Sequence, residues 1–448
     1  MLTSGVASLW RIATEHAQRV LTTTLMPPFT LCITQLVNTL IEERREAMST
    51  TSVLVPVSDL ATSVRMLTTV NVYHTVFEPP LLQQCSDYYR EDAAQALRQA
   101  TLHSTVDISV YGRHVTRIQS QMASEYTTVG LQPSKGRLDA LVTDFYLAQP
   151  LPHLIEKGLP LLLTASVRTT DPTAPMEARA QAVETVRWLY DACRTTNTIA
   201  LLCAALESWL DKAFENILAN DTNVISAFIA ARGDALHLLK KACAQEESIK
   251  VMLQNVLTKW VNVKTQWFAE ELAKFVSKVL QSDGREGSST MEVHFDAVLA
   301  LFRLLNGKDV FEQFYKNHTA KRLLAGRSGS IDVELSMLSR LKKECGAEFT
   351  RALEAMFKDM DLSQAWMTQY SRQRSSPPPV DMQVSVLTAG SWPTYQPVQW
   401  VLPDEFEAAK KAFETFYLAQ HRGRVLKWQY SLDQCIITAH LPHVLSLL

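Results

Sequence analysis

Near the C-terminus the stretch CIITAHLPH holds three side chains able to bind a metal, Cys435, His440 and His443. A closed zinc site takes four protein ligands, and no fourth is evident beside these three. Cys435 also falls on the apolar side of an alternating run, so the trio reads as a buried thiol with two surface histidines. The remaining histidines stand singly, and His318, on an aromatic helix face, reads as a core or rim residue. The chain lacks a phosphate-binding G-x-x-x-x-G-K motif, a G-x-G-x-x-G, an H-E-x-x-H and a G-x-S-x-G. No nucleophile–base pair or metal spacing supports catalysis. The expectation is a protein with no catalytic residues, no metal and no cofactor.

The richer polar chemistry is basic. In FYKNHTAKRLLAG, Phe314 to Gly326, helical spacing puts Phe311, Phe314, Tyr315, His318 and Arg322 on one face, with Lys321 at its edge. Cations in a last helical turn complement the negative end of the helix dipole, worth about 0.3–1 kcal/mol each. That accounts for a basic residue before Gly326 but not for the wider cluster. Lys316, Lys321, Arg322, Arg327, Arg340, Lys342 and Lys343 face only two acids, Asp332 and Glu334, over Lys316–Lys343. A solvated charged face is the ordinary meaning of such a run. If the two helices pack antiparallel, the same residues line a basic groove suited to an acidic guest.

The elements that would position these groups are mostly helices. DLATSVRMLTTVNVYHTVF, EARAQAVETVRWLYDACR, TIALLCAALESWLDKAFENIL and IKVMLQNVLTKWVNV each read as helical. In the second, Val183, Val186, Tyr190 and Cys193 form a stripe widened by Ala182 and Leu189. Glu78–Pro80, Leu131–Gly136 and Thr169–Pro175 read as breakers. Helices joined this way without a sheet predict bundles or a stacked solenoid. After a linker at Gln281–Thr290, four further helices predict a bundle. Gly307 ends the first, Asp309 with Glu312 has capping-box spacing, and Gly326 and Gly346 act as stops. Beyond the proline-rich Ser371–Val380 the pattern changes. Met382, Val384 and Val386 alternate as in a strand. Pro403 opens a helix whose face is Phe406, Ala409, Phe413, Phe416 and Tyr417. Leu426, Trp428 and Tyr430 alternate next, then Cys435, Ile437, Ala439 and Leu441. This end predicts a small α/β unit whose open edge invites strand addition by a partner. SWPTY, Ser391–Tyr395, reads either as a hydrophobic plug over that unit or as a partner-binding corner.

Composition bounds the rest. With 448 residues, two to four domains are expected. Hydrophobic residues make up 47% and charged residues 20%, and the net charge is −2, so the whole chain advertises neither nucleic acid nor an acidic membrane. The seven cysteines carry no C-x-x-C and read as reduced, mostly buried thiols of an intracellular protein. MLTSGVASLWRIATEHAQ lacks the basic head and apolar run of a secretory signal, and the apolar run Ile199–Leu206 is too short to span a bilayer.

Three blocks carry a resemblance. Gly307–Met360, Val384–Tyr395 and Phe416–Trp428 resemble, in order, the central and C-terminal signatures of the cullins, scaffolds of multisubunit RING-type ubiquitin ligases. The wording is most similar to the type-four cullins. The resemblance implies a mostly α fold: stacked five-helix cullin-type repeats at 1–158 and 159–284, a four-helix bundle at 285–380 and a partial α/β domain at 381–448. It implies a non-catalytic scaffold, cytoplasmic and/or nuclear, for ubiquitin-dependent catabolism. A small zinc-binding RING protein would add a strand at Gln383, Val384, Ser385, Val386 and Leu387, the corner Trp392 and Pro393, and Lys427, Trp428 and Tyr430. The basic residues named above would receive a ubiquitin-conjugating enzyme's acidic tail. Thr319 stands where the family carries a larger apolar residue, and Arg422 where serine is common. Both ends look truncated, which implies that the adaptor-binding first repeat, the winged helix and the modifier-accepting lysine are missing. A helical-repeat interaction protein, or an inactive truncated cullin without ligase function, is the alternative.

Overall fold

The computed structural model describes residues 11–20, 26–48, 57–102, 105–160, 162–163, 176–220, 223–243, 246–281, 288–326, 330–373, 380–396, 398, 400–421 and 423–432. Helices dominate them. The metal-capable trio Cys435, His440 and His443, the alternating run around it, Arg327 and Arg422 lie outside the described residues, as does the breaker Thr169–Pro175.

The described residues begin with α1 (11–20), α2 (Met26–Met48) and α3 (Val57–Thr69). The stretch DLATSVRMLTTVNVYHTVF is not one helix. Asn71 takes a left-handed conformation, φ 61°, after α3, and a π-helical turn follows at Tyr73–Phe77. The pair Pro79-Pro80 does not break the chain. It sits in the first turn of α4 (Glu78–Ala100), where a missing amide hydrogen costs nothing. A two-residue hairpin, β1 (Thr101–Leu102) with β2 (Thr105–Val106), leads to α5 (Ile108–Thr128). Thr101 pairs with Val106 and Leu102 with Thr105, and this is the only ladder among the described residues. Asp107 caps α5 by accepting from the amides of Ser109 and Val110. After α6 (Lys135–Val142) come two more π-helical turns, Thr143–Ala148 and Leu154–Gly158, the second of which packs against β2.

Four helices come next: α7 (Met176–Thr195), α8 (Ile199–Asn220), α9 (Val224–Ala242) and α10 (Glu247–Asn262). The stripe expected on α7 is the buried one, with Val186, Leu189 and Cys193 fully enclosed. Then come α11 (Thr265–Gln281), α12 (Ser288–Leu304), α13 (Lys308–Leu324), α14 (Ile331–Cys345) and α15 (Ala347–Gln373). The last among the described residues, α16 (Asp404–Gln420), follows Pro403, which is its N-cap. The capping box expected at Asp309 does not form. Gly307 is the N-cap of α13 and Asp309 lies inside the first turn. A side chain at position 307 would meet Thr265 Cγ2 at 2.8 Å, so close approach of two turns dictates glycine there. Gly346 ends α14 at φ 88° as expected.

Chain contacts divide the protein into two compact units. One comprises Met1–Asn216 with Ala230–Val256, the other Ile217–Ile229 with Leu257–Leu448. Within the first, Arg44 of α2 is buried and donates from Nε to Glu125 of α5 at 3.0 and 3.1 Å, and from Nη1 to Tyr89 at 2.8 Å. Within the second, Asn262 joins two interhelix turns. Its amide donates to the Leu304 carbonyl at 2.8 Å and its oxygen accepts from Asn306 N at 2.9 Å.

Candidate partner-binding site

The basic cluster does not converge on one groove. Arg322 is 1% exposed and enclosed among three helices. Its Nε and Nη2 donate to Glu334 of α14 at 2.7 and 2.8 Å. Nη1 donates to Ser277 of α11 at 2.9 Å, Nη2 to Thr319 at 3.1 Å, and the guanidinium lies 5.7 Å from the Tyr315 ring centre. Burial alone would push its pKa down, but the hydrogen bonds and charge of Glu334, with Tyr315, outweigh this and hold it above its ordinary value. Arg322 is therefore a staple joining α11, α13 and α14 and cannot line a surface groove. Thr319 adds one acceptor to that staple.

Other members of the cluster meet acids the local sequence did not show. Arg340 is 2.5 Å from Asp296 and 3.8 Å from Glu292, both on α12. Lys342 pairs with Glu354 of α15 at 2.7 Å. Lys321 and Lys343 are exposed and Lys316 is half-buried, and none of the three has an ion-pair partner among the described residues. His318 sits beside Lys321. Burial first, then the charges of Lys321, Arg322 and Lys274, lower its pKa, so it is neutral at neutral pH. Among the described residues, the members of the cluster left without an ion-pair partner are thus Lys316, Lys321 and Lys343.

The C-terminal unit is built on α15 and α16. Tyr370, Phe413 and Tyr417 form a buried aromatic cluster, against which Met382, Val384, Val386, Leu426 and Trp428 pack while only partly buried. Between residues 381 and 386 exposure alternates strictly: Asp381, Gln383 and Ser385 outward, Met382, Val384 and Val386 inward. The side-chain period of a strand is present, but the ladder is not. Among the described residues, no main-chain hydrogen bond reaches residues 381–387 from another main chain. Within this segment Gln383 and Ser385 are the exposed members of the expected partner set, and Leu387 is half-buried.

Two members of that set face inward. Trp392 is 7% exposed, and its indole Nε1 donates to Asp359 of α15 at 2.8 Å. Asp359 also accepts from Thr388 N at 2.7 Å and Thr388 Oγ1 at 2.8 Å. The SWP corner is hence a plug held by a buried carboxylate, not an outward-facing contact. Trp428 packs on Phe413, with ring centres 6.5 Å apart, and its Nε1 donates to Glu414. Tyr430 accepts from Lys410, which lies over both the Trp428 and Tyr430 rings at 5.8 and 5.5 Å. Lys427 is exposed and Pro393 half-buried. Nearby, Trp400, Val401 and Val425 are 63%, 100% and 82% exposed. Gln429 donates to the Gln396 carbonyl at 2.9 Å, so the two segments carrying these apolar residues run close together.

Sequence reasoning missed Asp359 and Ser363. Their signal was a carboxylate and a hydroxyl four residues apart on the otherwise apolar face of α15.

Comparison with known proteins bears on this arrangement. The sequence profile of the cullin alpha solenoid domain matches residues 10–367, and that of the cullin alpha+beta domain matches residues 386–446. The chain is 30% identical over 390 residues to Cullin-4A of Mus musculus, covering 85% of this chain and 48% of that relative. It is 28% identical over 386 residues to Cullin-4 of Dictyostelium discoideum, covering 84% and 45%. To Cullin-3 of the same organism it is 30% identical over 390 residues, covering 83% and 47%. The chain spans about half the length of the curated relatives it matches.

Proposed function

The chain belongs to the cullin family, and from that premise we propose that it is a non-catalytic scaffold of a RING-type ubiquitin ligase. Its C-terminal unit takes in an extended strand of a small zinc-binding RING protein. The observation that carries this reading is the segment at residues 381–387. It has strand-like side-chain alternation, no main-chain partner among the described residues, and apolar side chains that pack on a buried aromatic cluster while staying only partly buried themselves. A strand laid beside it would satisfy the open main chain and complete the apolar layer. Helical repeats at 1–158 and 159–284 and a bundle at 285–380 would form the scaffold that holds donor and substrate together. Such holding acts through proximity, since the chemistry belongs to the recruited conjugating enzyme. Action in the cytoplasm or nucleus belongs to the same proposal. No helix among the described residues is long and apolar enough to cross a membrane.

The acidic tail of the conjugating enzyme would meet Lys316, Lys321 and Lys343, not Arg322. The test is co-expression of the full chain with a small RING protein from a cullin–RING ligase. A stable complex is expected on size exclusion. In that complex, Lys316→Glu with Lys321→Glu should slow loading of the conjugating enzyme and flatten its salt dependence, with the RING protein retained. If the full chain elutes alone the scaffold reading falls, and if charge reversal leaves recruitment unchanged the basic surface has no such role.

A further inference from the structure

Every second residue of an extended chain turns its N–H and C=O to the same edge. In the 381–388 segment, one edge is already taken. Val386 N donates to Ser363 Oγ of α15 at 2.8 Å, and the Val386 carbonyl lies 3.2 Å from the same hydroxyl. Two residues on, Thr388 N donates to Asp359 at 2.7 Å. Ser363 and Asp359 are one helical turn apart, so their side chains stand on one face of α15. The hydroxyl itself donates to the Asp359 carbonyl at 2.6 Å, which fixes its direction. The even-numbered residues therefore direct their main chain toward α15. By parity, Gln383, Ser385 and Leu387 direct theirs the other way, where no main-chain partner exists among the described residues.

We propose that Asp359 and Ser363 are positioning residues that close one edge of this segment, leaving the main-chain groups of Gln383, Ser385 and Leu387 as the set that pairs with an incoming strand. The inference rests on the strand-pairing reading above and adds the edge, the register and the residues that impose them. It also defines the guest. The guest is an extended stretch free of proline at its pairing positions, with apolar side chains at every second residue to lie over the partly covered Val384, Leu426 and Trp428. Holding the segment in place before the partner arrives removes part of the ordering cost from binding.

Amide hydrogen exchange on the free full-length chain tests the edge assignment without a partner. Protection is expected at Val386 and Thr388, and rapid exchange at Gln383, Ser385 and Leu387. Ser363→Ala should lower protection of Val386 about tenfold, a bond's worth, with Thr388 unchanged; Asp359→Ala should do the reverse. Equal exchange along the segment, or loss of both protections together with those of α15, would overturn the assignment. The second arm measures binding of the small RING protein. Ser385→Pro removes an outward N–H and should weaken binding about tenfold, while Ser385→Ala should bind like the wild type. Val384→Pro, whose N–H faces α15, should stay within about twofold of the wild type. Wild-type chain that binds no RING protein sinks the strand-pairing reading, and the pairing assignment falls with it. Binding that tolerates Ser385→Pro sinks the assignment alone.

Discussion

Arg322 shows how far a residue's neighbours in space can differ from those in sequence. Along Lys316–Lys343 the cations outnumber the acids, and the run reads as a basic surface. Folding supplies Asp296 and Glu292 from α12 and Glu354 from α15, and it turns Glu334 inward to meet Arg322. Both partners of that last pair have fully buried side chains. Removing one leaves an uncompensated buried charge, which costs about 3–5 kcal/mol, whereas replacing both with apolar groups of similar size is close to neutral. Glu334→Ala is expected to destabilise the second unit by about that much, and Arg322→Met with Glu334→Leu to recover most of it. Urea unfolding of both variants measures the difference. Similar losses for the single and double variants would show that the ion pair is not what holds α13 to α14. Charge reversal at Arg322 is accordingly a test of folding, and Lys321 is the position at which to probe recruitment.

At the scale of elements, helices were legible because burial on one side imposes a period of 3.6 residues. The stripe of α7 and the Phe413–Tyr417 face of α16 both came through as buried faces. Boundaries were less so. Pro79-Pro80 looked like an interruption and is a helix start, and Asp309 looked like a cap where glycine serves instead. Those choices hang on contacts between turns, which local propensity does not contain. Gly158 is a further case. A side chain there would stand 2.6 Å from Ile108 Cγ1 and 2.9 Å from the Val106 carbonyl oxygen, where the π-helical turn meets the hairpin. Gly158→Ala is expected to cost about 1–3 kcal/mol through overpacking. A thermal melt reads the loss directly, and an unchanged melting temperature would mean that β2 and this turn can part without penalty. The strand segment at 381–387 is the converse case. Its period was visible, yet no ladder forms on it among the described residues, so pattern and pairing come apart.

Across the whole molecule, acid sensitivity follows from carboxylates held by partners. Burial alone would raise the pKa of Glu78, but hydrogen bonds from His74 and Ser134 and the charge of Arg137 outweigh it and leave it lowered. Asp107 is likewise lowered: burial opposes, and Ser109 with the amides of Val110 and Ser109 prevails. A carboxylate depressed by folding adds stability above its unfolded pKa, about 3.9 for Asp and 4.3 for Glu. That contribution is lost as pH falls through the folded value. The urea midpoint should hold from neutral pH to about pH 5 and drop below about pH 4. Glu78→Gln should lower the midpoint at pH 7 and flatten the acid limb, and an acid limb identical to the wild type would remove Glu78 from the account.

Helical class, the change of pattern near residue 380 and the cullin blocks could all be read from residue order, because periodicity, stops and long motifs are properties of adjacent positions. Which cations remain free, where Trp392 points and which edge of residues 381–388 stays open could not. Each depends on groups far apart in the chain, Glu334 with Arg322, Asp359 with Trp392 and Ser363 with Val386. Electrostatic pairing and hydrogen bonding act through distance in space, and only packing of the helices brings those groups within reach.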